Sequence, residues 1–194
     1  MKYFIATVLA VCLLAGSVIV WGAKPYSQAA YRLEFKQGHC SGTAVARNVI
    51  LTAKHCFPTN EAITFKIGER QAKVQKFVED GNDHVLVFVN IQFENIAVIS
   101  KQMPRIGEQV TYTGNPAGLN QLYRIGYISA YLEGQMVIDV NGYSGDSGAG
   151  VMNKRGQIVG VISMQFHTES FGMMSGFPLA FTTEQYQDAG VSIK

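Results

Sequence analysis

Ser147 lies in a glycine-rich segment that suits nucleophilic chemistry. Residues 142–148 read Gly-Tyr-Ser-Gly-Asp-Ser-Gly. Glycines on both sides of the serine let the chain turn sharply, so the backbone N–H groups of Gly145 and Ser147 can point into one small cavity and bind an oxyanion. A serine nucleophile also needs an imidazole base and an acid that orients this base. Glycine richness alone equally fits a flexible turn before a strand. Whether Ser147 is a nucleophile therefore depends on a suitable histidine elsewhere in the sequence.

His55 is the candidate base. It ends an apolar stretch in the sequence Leu-Thr-Ala-Lys-His-Cys, and Cys40 begins the upstream sequence Cys-Ser-Gly-Thr-Ala. Together these segments resemble the histidine region of chymotrypsin-like serine proteases. The resemblance implies that His55 is the general base and that a disulfide between Cys40 and Cys56 closes the loop behind it. Without this pattern, a lone histidine would more often be structural.

Asp83 is the candidate acid. Residues 82–87 (Asn-Asp-His-Val-Leu-Val) resemble the aspartate segment of the same family, in which the acid opens an apolar strand. Asp80 is a competitor, but it precedes a Gly-Asn turn that is expected to be solvated, whereas the apolar strand begins directly after Asp83. The order His55, Asp83, Ser147 is that of chymotrypsin and differs from the Ser, Asp, His order of α/β-hydrolases. The resemblance implies a serine endopeptidase that acts on protein or peptide substrates without a cofactor.

Two further stretches resemble the HtrA/Deg-like branch of the trypsin superfamily. They are Gly-Asn-Pro-Ala-Gly-Leu at residues 114–119 and Gly-Tyr-Ile-Ser-Ala at residues 126–130. The resemblance extends over about residues 38–181 and leaves no stretch for a PDZ domain, so we do not expect the chaperone-like behaviour of that branch. The branch has Gly-Asn-Ser-Gly at the nucleophile, whereas this chain has Gly-Asp-Ser-Gly at residues 145–148.

The acid in this motif, Asp146, raises the question of activation. In trypsin-type zymogens the matching acid pairs with a newly cut Ile-Val-Gly-Gly amino terminus. The nearest match here, Ile-Val-Trp-Gly at residues 19–22, lies in an apolar segment and lacks a basic cleavage site. We therefore expect Asp146 to find a hydrogen-bonding or cationic partner within the folded body that follows this apolar segment.

The resemblance also indicates where a substrate would bind. The position six residues before the nucleophile, Asn141, is expected at the base of the S1 pocket. Ser163, Met164 and Gln165 are expected to supply the strand that pairs with substrate, and His167 could reshape the pocket. Because no acid occupies the expected pocket base, a neutral side chain is favoured over Arg or Lys.

The elements that must position these residues are short strands. Val, Ile, Thr and Tyr recur in short stretches bounded by Gly, Asn or Pro, which predicts an all-β body, either a pair of barrels or a sandwich. The resemblance implies a double β-barrel of two Greek-key units within residues 31–194, about 31–100 and 108–182, followed by a short C-terminal helix near 183–189. The predicted strands are Tyr31–Lys36, Thr43–Thr52, Ala62–Ile67, Ala72–Val78, Gln109–Thr113, Leu122–Leu132, Gln135–Val140, Gly148–Met152, Gln157–Gln165 and Pro178–Thr182.

The amino-terminal segment predicts export. No charged residue occurs from Tyr3 to Ala23, a length that would span a bilayer core of about 30 Å as a helix. Small-residue sites at 15–17 and 27–29 leave a cleaved signal open. We expect residues 1–23 to be a hydrophobic helix that acts as membrane anchor or signal, and residues 24–30 to be a linker. The protease domain would then lie in an oxidising compartment, periplasmic or extracellular, either anchored or secreted.

Other classes of function are less consistent with the sequence. Only 15% of residues are charged and the net charge is +2, which argues against a nucleic-acid partner. The pairs His39-Cys40 and His55-Cys56 could supply four zinc ligands, but zinc ligands usually occur two to four residues apart, so no metal is expected. A catalytically inactive, protease-like binding protein remains the alternative to an enzyme. The oligomeric state is left open.

Overall fold

The computed structural model describes residues 28–57, 64–167 and 172–194. Its first half is a closed barrel of six antiparallel strands in the order β1-β2-β3-β6-β5-β4. The strands are β1 (Ala30–Phe35), β2 (Gly38–Ala46), β3 (Val49–Ala53), β4 (Thr64–Ile67), β5 (Arg70–Glu79) and β6 (His84–Val89). A short edge strand, β7 (Val98–Ile99), leads to the second half.

The second half is another barrel of six antiparallel strands. Its order is β11-β8-β9-β10-β13-β12, and the pairing of β11 with β12 closes it, while β7 pairs with the outside of β12. The prediction of a double β-barrel is therefore confirmed. The strands are β8 (Gln109–Gly114), β9 (Leu122–Leu132), β10 (Gln135–Ile138), β11 (Gly150–Met152), β12 (Gln157–His167) and β13 (Gly172–Phe177).

Buried apolar side chains fill both barrels. The first core includes Leu33, Ile50 and Leu86, and the second includes Ile128 and Ile138, all with at most 1% of their surface exposed. Removing such side chains from water is the main favourable contribution to folding.

Two predicted strands differ from the structure. The stretch Thr43–Thr52 is a hairpin, because β2 and β3 pair up to Ala46 and Val49 and leave a two-residue turn at 47–48. Apolar residues continue on both sides of this turn and conceal it in the sequence. The stretch Pro178–Thr182 is not a strand. The last barrel strand is instead β13, whose Met, Ser and Gly residues have weak strand propensity but pair with β10 and β12 on both sides.

The C-terminal helix, α1 (Thr183–Asp188), is confirmed. The Thr182 hydroxyl accepts a hydrogen bond from the Gln185 N–H (3.2 Å), and the Gln185 side-chain oxygen accepts from the Thr182 N–H (2.8 Å), which completes a capping box. The Gln185 side-chain amide also donates to the carbonyl of Glu79 at 3.0 Å, so the helix is attached to the end of β5.

The predicted anchor or signal lies outside the described residues, as does most of the predicted linker. No helix in the three described ranges is long and apolar enough to cross a membrane. The first described strand begins at Ala30, which is buried.

A disulfide between Cys40 and Cys56 joins β2 to the turn that follows β3, as predicted. The two cysteines are 16 residues apart in sequence, and the bridge restricts the unfolded chain by closing this loop. Because both sulfur atoms are used in the bridge, the zinc-module alternative loses two of its four proposed ligands.

Replacing both cysteines tests what the bridge contributes. We expect the double variant Cys40→Ser, Cys56→Ser to lose about 3 kcal/mol of unfolding free energy through the greater entropy of its unfolded chain. Urea denaturation under oxidising conditions measures this change, and reduced wild type should match the double variant. Equal urea midpoints for oxidised wild type and the double variant would contradict the prediction.

Candidate active site

A single 3-10 turn, Lys54–Cys56, presents His55 at the end of β3. Ala53 in β3 pairs with His84, the first residue of β6, so Asp83 lies directly beside this turn. His55 Nδ1 is 2.7 Å from Asp83 Oδ2. A hydrogen bond to a carboxylate requires a proton on Nδ1, which leaves Nε2 of the neutral imidazole free to accept a proton.

Asp83 holds the histidine turn with its backbone as well as its side chain. Its carbonyl accepts from the Lys54 N–H at 2.9 Å, and its Oδ1 accepts from the His55 N–H at 3.0 Å. Burial opposes ionisation of Asp83, but the hydrogen bonds and charge of His55 hold the pKa of this carboxyl below its ordinary value. The His55 side chain remains 45% exposed. The pair is thus an ionised acid beneath an imidazole that reaches solvent.

Ser41, a fully buried residue of β2, connects the Ser147 loop to the first barrel. Its N–H donates to the Ser147 carbonyl (2.8 Å), and its hydroxyl donates to the Gly145 carbonyl (2.8 Å). Its own carbonyl accepts from the Thr52 hydroxyl at 2.7 Å. These bonds hold residues 145–147 against the strand pair that ends at His55.

The close packing of Gly148 shows how near the two segments lie. A Cβ atom at Gly148 would lie 2.1 Å from the Ser41 carbonyl oxygen and 3.1 Å from the Ala53 nitrogen. The φ angle of Gly148, 88°, is also one that only glycine adopts readily. The carbonyl oxygen of Ser147 is 4.0 Å from Cys56 Sγ. Ser147 is therefore a neighbour of the His55 turn, although its hydroxyl makes no hydrogen bond to the described residues.

The N–H of Gly145 is oriented by the carbonyl of its own peptide group. The Ser144 carbonyl accepts from the Ala117 N–H at 2.9 Å. In a planar trans peptide the N–H points opposite to the carbonyl, so the Gly145 N–H points away from Ala117. A side chain at Gly145 would come within 2.4 Å of both the Asn115 carbonyl and the His39 ring, so the position requires glycine.

The N–H of Ser147 is oriented in the same way. The Asp146 carbonyl accepts from the Ala149 N–H at 3.0 Å, which directs the Ser147 N–H to the other side of the peptide. Neither this amide nor that of Gly145 donates a hydrogen bond within the described part of the chain. Both remain available to an external acceptor.

Asp146 is fully buried and finds partners within the barrel, as expected. Its Oδ2 accepts from the Tyr143 N–H at 3.2 Å and lies 3.9 Å from Arg124 Nη1. Burial raises the pKa of Asp146, and the Tyr143 N–H, the Arg124 charge and the Tyr112 hydroxyl oppose that rise. The Arg124 guanidinium also donates to the Asn141 carbonyl and lies 5.5 Å from the Tyr143 ring centre. Arg124 thereby holds residues 141–146 through contacts with Asn141, Tyr143 and Asp146.

The predicted substrate-binding residues occupy two places. Asn141 is exposed, and its carbonyl accepts from Arg124. Ser163 is buried in β12, where its hydroxyl favours ionisation of Asp83 without reaching the geometry of a full hydrogen bond. Met164 and Gln165 follow in β12 and pair with β13, but their side chains, like that of His167, lie outside the described part of the structure.

The Gly-Asn turn after Asp80 is exposed, as expected, but the carboxylate of Asp80 is not. Its side chain is completely buried, and its Oδ2 lies 2.7 Å from Nδ1 of the equally buried His84. The turn that follows Asp80 is at the surface, but the carboxylate points back toward β6. A second His-Asp pair therefore lies behind the first.

The roles of Ser41, Asn115 and Arg124 were not predicted from the sequence. Asn115 is fully buried and donates to the Ser41 hydroxyl from both its backbone N–H (3.0 Å) and its side chain (2.8 Å). Its place in the Gly-Asn-Pro stretch was a usable signal. The sequence held no signal for the role of Arg124, because a charged residue in a strand of alternating polarity is expected to face outward.

The comparison with protein-family models identifies a family for this chain. The family model of the trypsin-like peptidase domain matches residues 40–161, which include His55, Asp83 and Ser147. The chain belongs to the trypsin-like peptidase family. A comparison with curated protein sequences yields no match to this peptidase.

Solved structures of serine proteases share its fold. The inactive form of a serine-to-alanine mutant of Rv3671c from M. tuberculosis is 14% identical, with a TM-score of 0.68 and 85% of the peptidase and 88% of that chain covered. A serine endoprotease from Yersinia pestis is 22% identical, with a TM-score of 0.68, and the match covers 84% of the peptidase and 63% of that chain. A Glu endopeptidase in complex with MPD is 18% identical, with a TM-score of 0.68, and the match covers 87% of the peptidase and 91% of that chain. These neighbours support the chymotrypsin-like fold and are compatible with the HtrA/Deg-like branch.

Arg124→Gln tests the support beneath residues 141–146. We expect it to lower the free energy of unfolding by about 2 kcal/mol, because it removes a charged hydrogen bond and leaves Asp146 buried without its cation. Urea denaturation measures the loss. The control, Arg155→Gln, removes an exposed arginine that bonds Gln102, and should change stability by less than about 0.5 kcal/mol. Equal losses in the two variants would contradict a special role for Arg124.

Proposed function

We propose that this peptidase is a serine endopeptidase that hydrolyses peptide bonds through Ser147, His55 and Asp83. The observation that carries the proposal is the 2.7 Å hydrogen bond between His55 and an ionised Asp83, beside a loop that holds Ser147 and two amides with no acceptor among the described residues. The family membership and the serine-protease neighbours support the same reaction class.

The tautomer of His55 determines the order of proton transfers. Nδ1 keeps its proton for Asp83, so Nε2 takes the proton of the Ser147 hydroxyl as Oγ attacks the substrate carbonyl. The imidazolium then gives that proton to the departing amine, and the acyl group stays on Ser147. Water then takes the place of the serine hydroxyl. Nε2 removes one proton from the water, the resulting hydroxide attacks the acyl carbon, and the proton passes from Nε2 back to Ser147 Oγ, which restores the serine.

The two oriented amides would stabilise the oxyanion of each tetrahedral intermediate. They are already directed by carbonyls bonded elsewhere, so no reorganisation is needed when charge develops on the substrate oxygen. Loss of one such donor typically costs a factor of roughly 10²–10³ in kcat.

Substrate selection is proposed to involve residues on both sides of Ser147. Asn141 would contribute to the S1 pocket, and Ser163, Met164 and Gln165 would pair with the substrate backbone. A neutral side chain is proposed for the residue before the cleaved bond, because Asn141 carries no charge. The disulfide is consistent with an oxidising compartment. Membrane anchoring or signal cleavage through residues 1–23 stays a proposal.

Labelling by a fluorophosphonate tests the triad directly, because the probe reacts only with an activated serine. Wild type should be labelled at Ser147, and Ser147→Ala or His55→Ala should lose turnover on the order of a millionfold. Asp83→Asn should cost roughly ten-thousandfold, because it favours the wrong imidazole tautomer. A well-folded wild type that neither reacts nor cleaves a peptide library would instead identify an inactive, protease-like binding protein.

Ala117→Pro tests the orientation of the Gly145 amide. The variant removes the N–H that bonds the Ser144 carbonyl, and proline cannot adopt the φ of 49° found at this position, so the Pro116–Gly118 turn is rebuilt as well. Both changes free the peptide group to rotate, and the labelling rate at Ser147 should fall. Ala117→Gly is the matched control, because it keeps this N–H and glycine suits the φ of 49° found at position 117. The control should retain the wild-type rate. Equal rates in both variants would show that Ala117 does not orient the amide.

A further inference from the structure

A second His-Asp pair lies directly behind the proposed triad. The side chains of Asp80 and His84 are both completely buried, whereas those of Asp83 and His55 are 26% and 45% exposed. Ionisable groups are rarely buried at this depth unless they are paired. Because neither side chain reaches solvent, the function of the pair must be sought in the segments that it holds.

The Asp80 carboxylate bonds three different segments. Its Oδ1 accepts from the Asn82 N–H at 2.9 Å, inside the turn between β5 and β6. Its Oδ2 accepts from His84 Nδ1 at 2.7 Å and from the Ala180 N–H at 3.1 Å. Burial opposes ionisation, but the bonds from His84, Ala180 and Asn82 hold the pKa of Asp80 below its ordinary value. The turn is therefore closed around an anion and attached to the segment that precedes α1.

Asp83 is the last residue of this turn. Neighbouring residues at the start of a strand point to opposite faces, so Asp83 faces His55 while His84 faces Asp80. The position of the Asp83 carboxylate consequently depends on both pairs. On one side it is held by the His55 turn, and on the other its backbone is held by the bond between His84 and Asp80.

Building on the function proposed above, we propose that the buried Asp80-His84 pair is a positioning device for Asp83. It fixes the turn that delivers the acid to His55 and couples this turn to the C-terminal segment at Ala180. Asp80 and His84 are positioning residues, not catalytic ones, because they act on the reaction only through Asp83. The Ala180 contact makes the segment before α1 part of the same device.

The test compares two replacements of His84 that differ in one hydrogen-bond donor. His84→Asn places an amide N–H close to the position of Nδ1, whereas His84→Leu fills the space without a donor. We expect His84→Leu to lower kcat roughly ten- to a hundredfold, the effect of misplacing a catalytic group by about 1 Å, with KM little changed. His84→Asn should recover most of the loss. A folded His84→Leu enzyme with the kcat of wild type would overturn the proposal.

Two controls separate positioning from general stability. Gln185→Ala breaks the neighbouring bond to the Glu79 carbonyl and the capping box of α1, so it should lower the unfolding midpoint and leave kcat unchanged. In the Asp83→Asn background, His84→Leu should cause no further loss of kcat, because the group that it positions is already absent. Full additivity of the two losses would show that His84 acts independently of Asp83. If His84→Leu does not fold, Asp80→Asn, which keeps an acceptor for Asn82, replaces it in the same comparison.

Proton NMR keeps this proposal distinct from the proposed reaction. The imidazole N–H signal of His55, assigned by its loss in His55→Gln, reports the bond to Asp83 without any turnover. A shift of this signal in His84→Leu but not in Gln185→Ala supports positioning, even in a protein that proves unable to cleave peptides. An unshifted signal in both variants would overturn it, whatever the activity of wild type.

Discussion

The site depends on the seam between the two barrels, and Ser41 is at its centre. Ser41 is completely buried, and its N–H, carbonyl and hydroxyl are all hydrogen bonded. Two of these bonds hold the carbonyls of Gly145 and Ser147, and its hydroxyl accepts from Asn115. Buried polar groups that lack partners cost about 1–3 kcal/mol each, so the barrels lose much of their mutual stabilisation if they shift relative to each other. This constraint places the loop that contains Ser147 against the turn that contains His55.

The two His-Asp pairs consist of the same chemical groups but differ in burial, and their expected roles differ accordingly. The outer pair keeps His55 partly exposed, as its proposed role as general base requires. In the inner pair, both groups are withdrawn from solvent and the bonds connect backbone segments instead. The same low-dielectric surroundings that strengthen the inner pair make its loss costly, because one unpaired charge would remain buried.

The double barrel, the bridge between Cys40 and Cys56 and the pairing of His55 with Asp83 could be predicted because short segments of the sequence resemble those of chymotrypsin-like proteases, and that resemblance implies all three. The burial of Asp80 could not be predicted in this way. A Gly-Asn turn is locally polar, and only the tertiary fold shows that the carboxylate before it points inward toward His84 and Ala180. Strand β13 was missed for a similar reason, since its pairing with two neighbours outweighs the weak propensity of its residues.

The division of the proposed triad between barrels has a consequence for the stage of folding at which activity can appear. His55 and Asp83 both belong to the first barrel, whereas Ser147 and the amide of Gly145 belong to the second and are held by Ser41 across the seam. A chain that has folded only its first barrel would have the proposed base and acid but no nucleophile. A second barrel that folds without docking would have the proposed nucleophile but no base. Under the proposed mechanism, hydrolytic competence would therefore arise only when the two barrels dock.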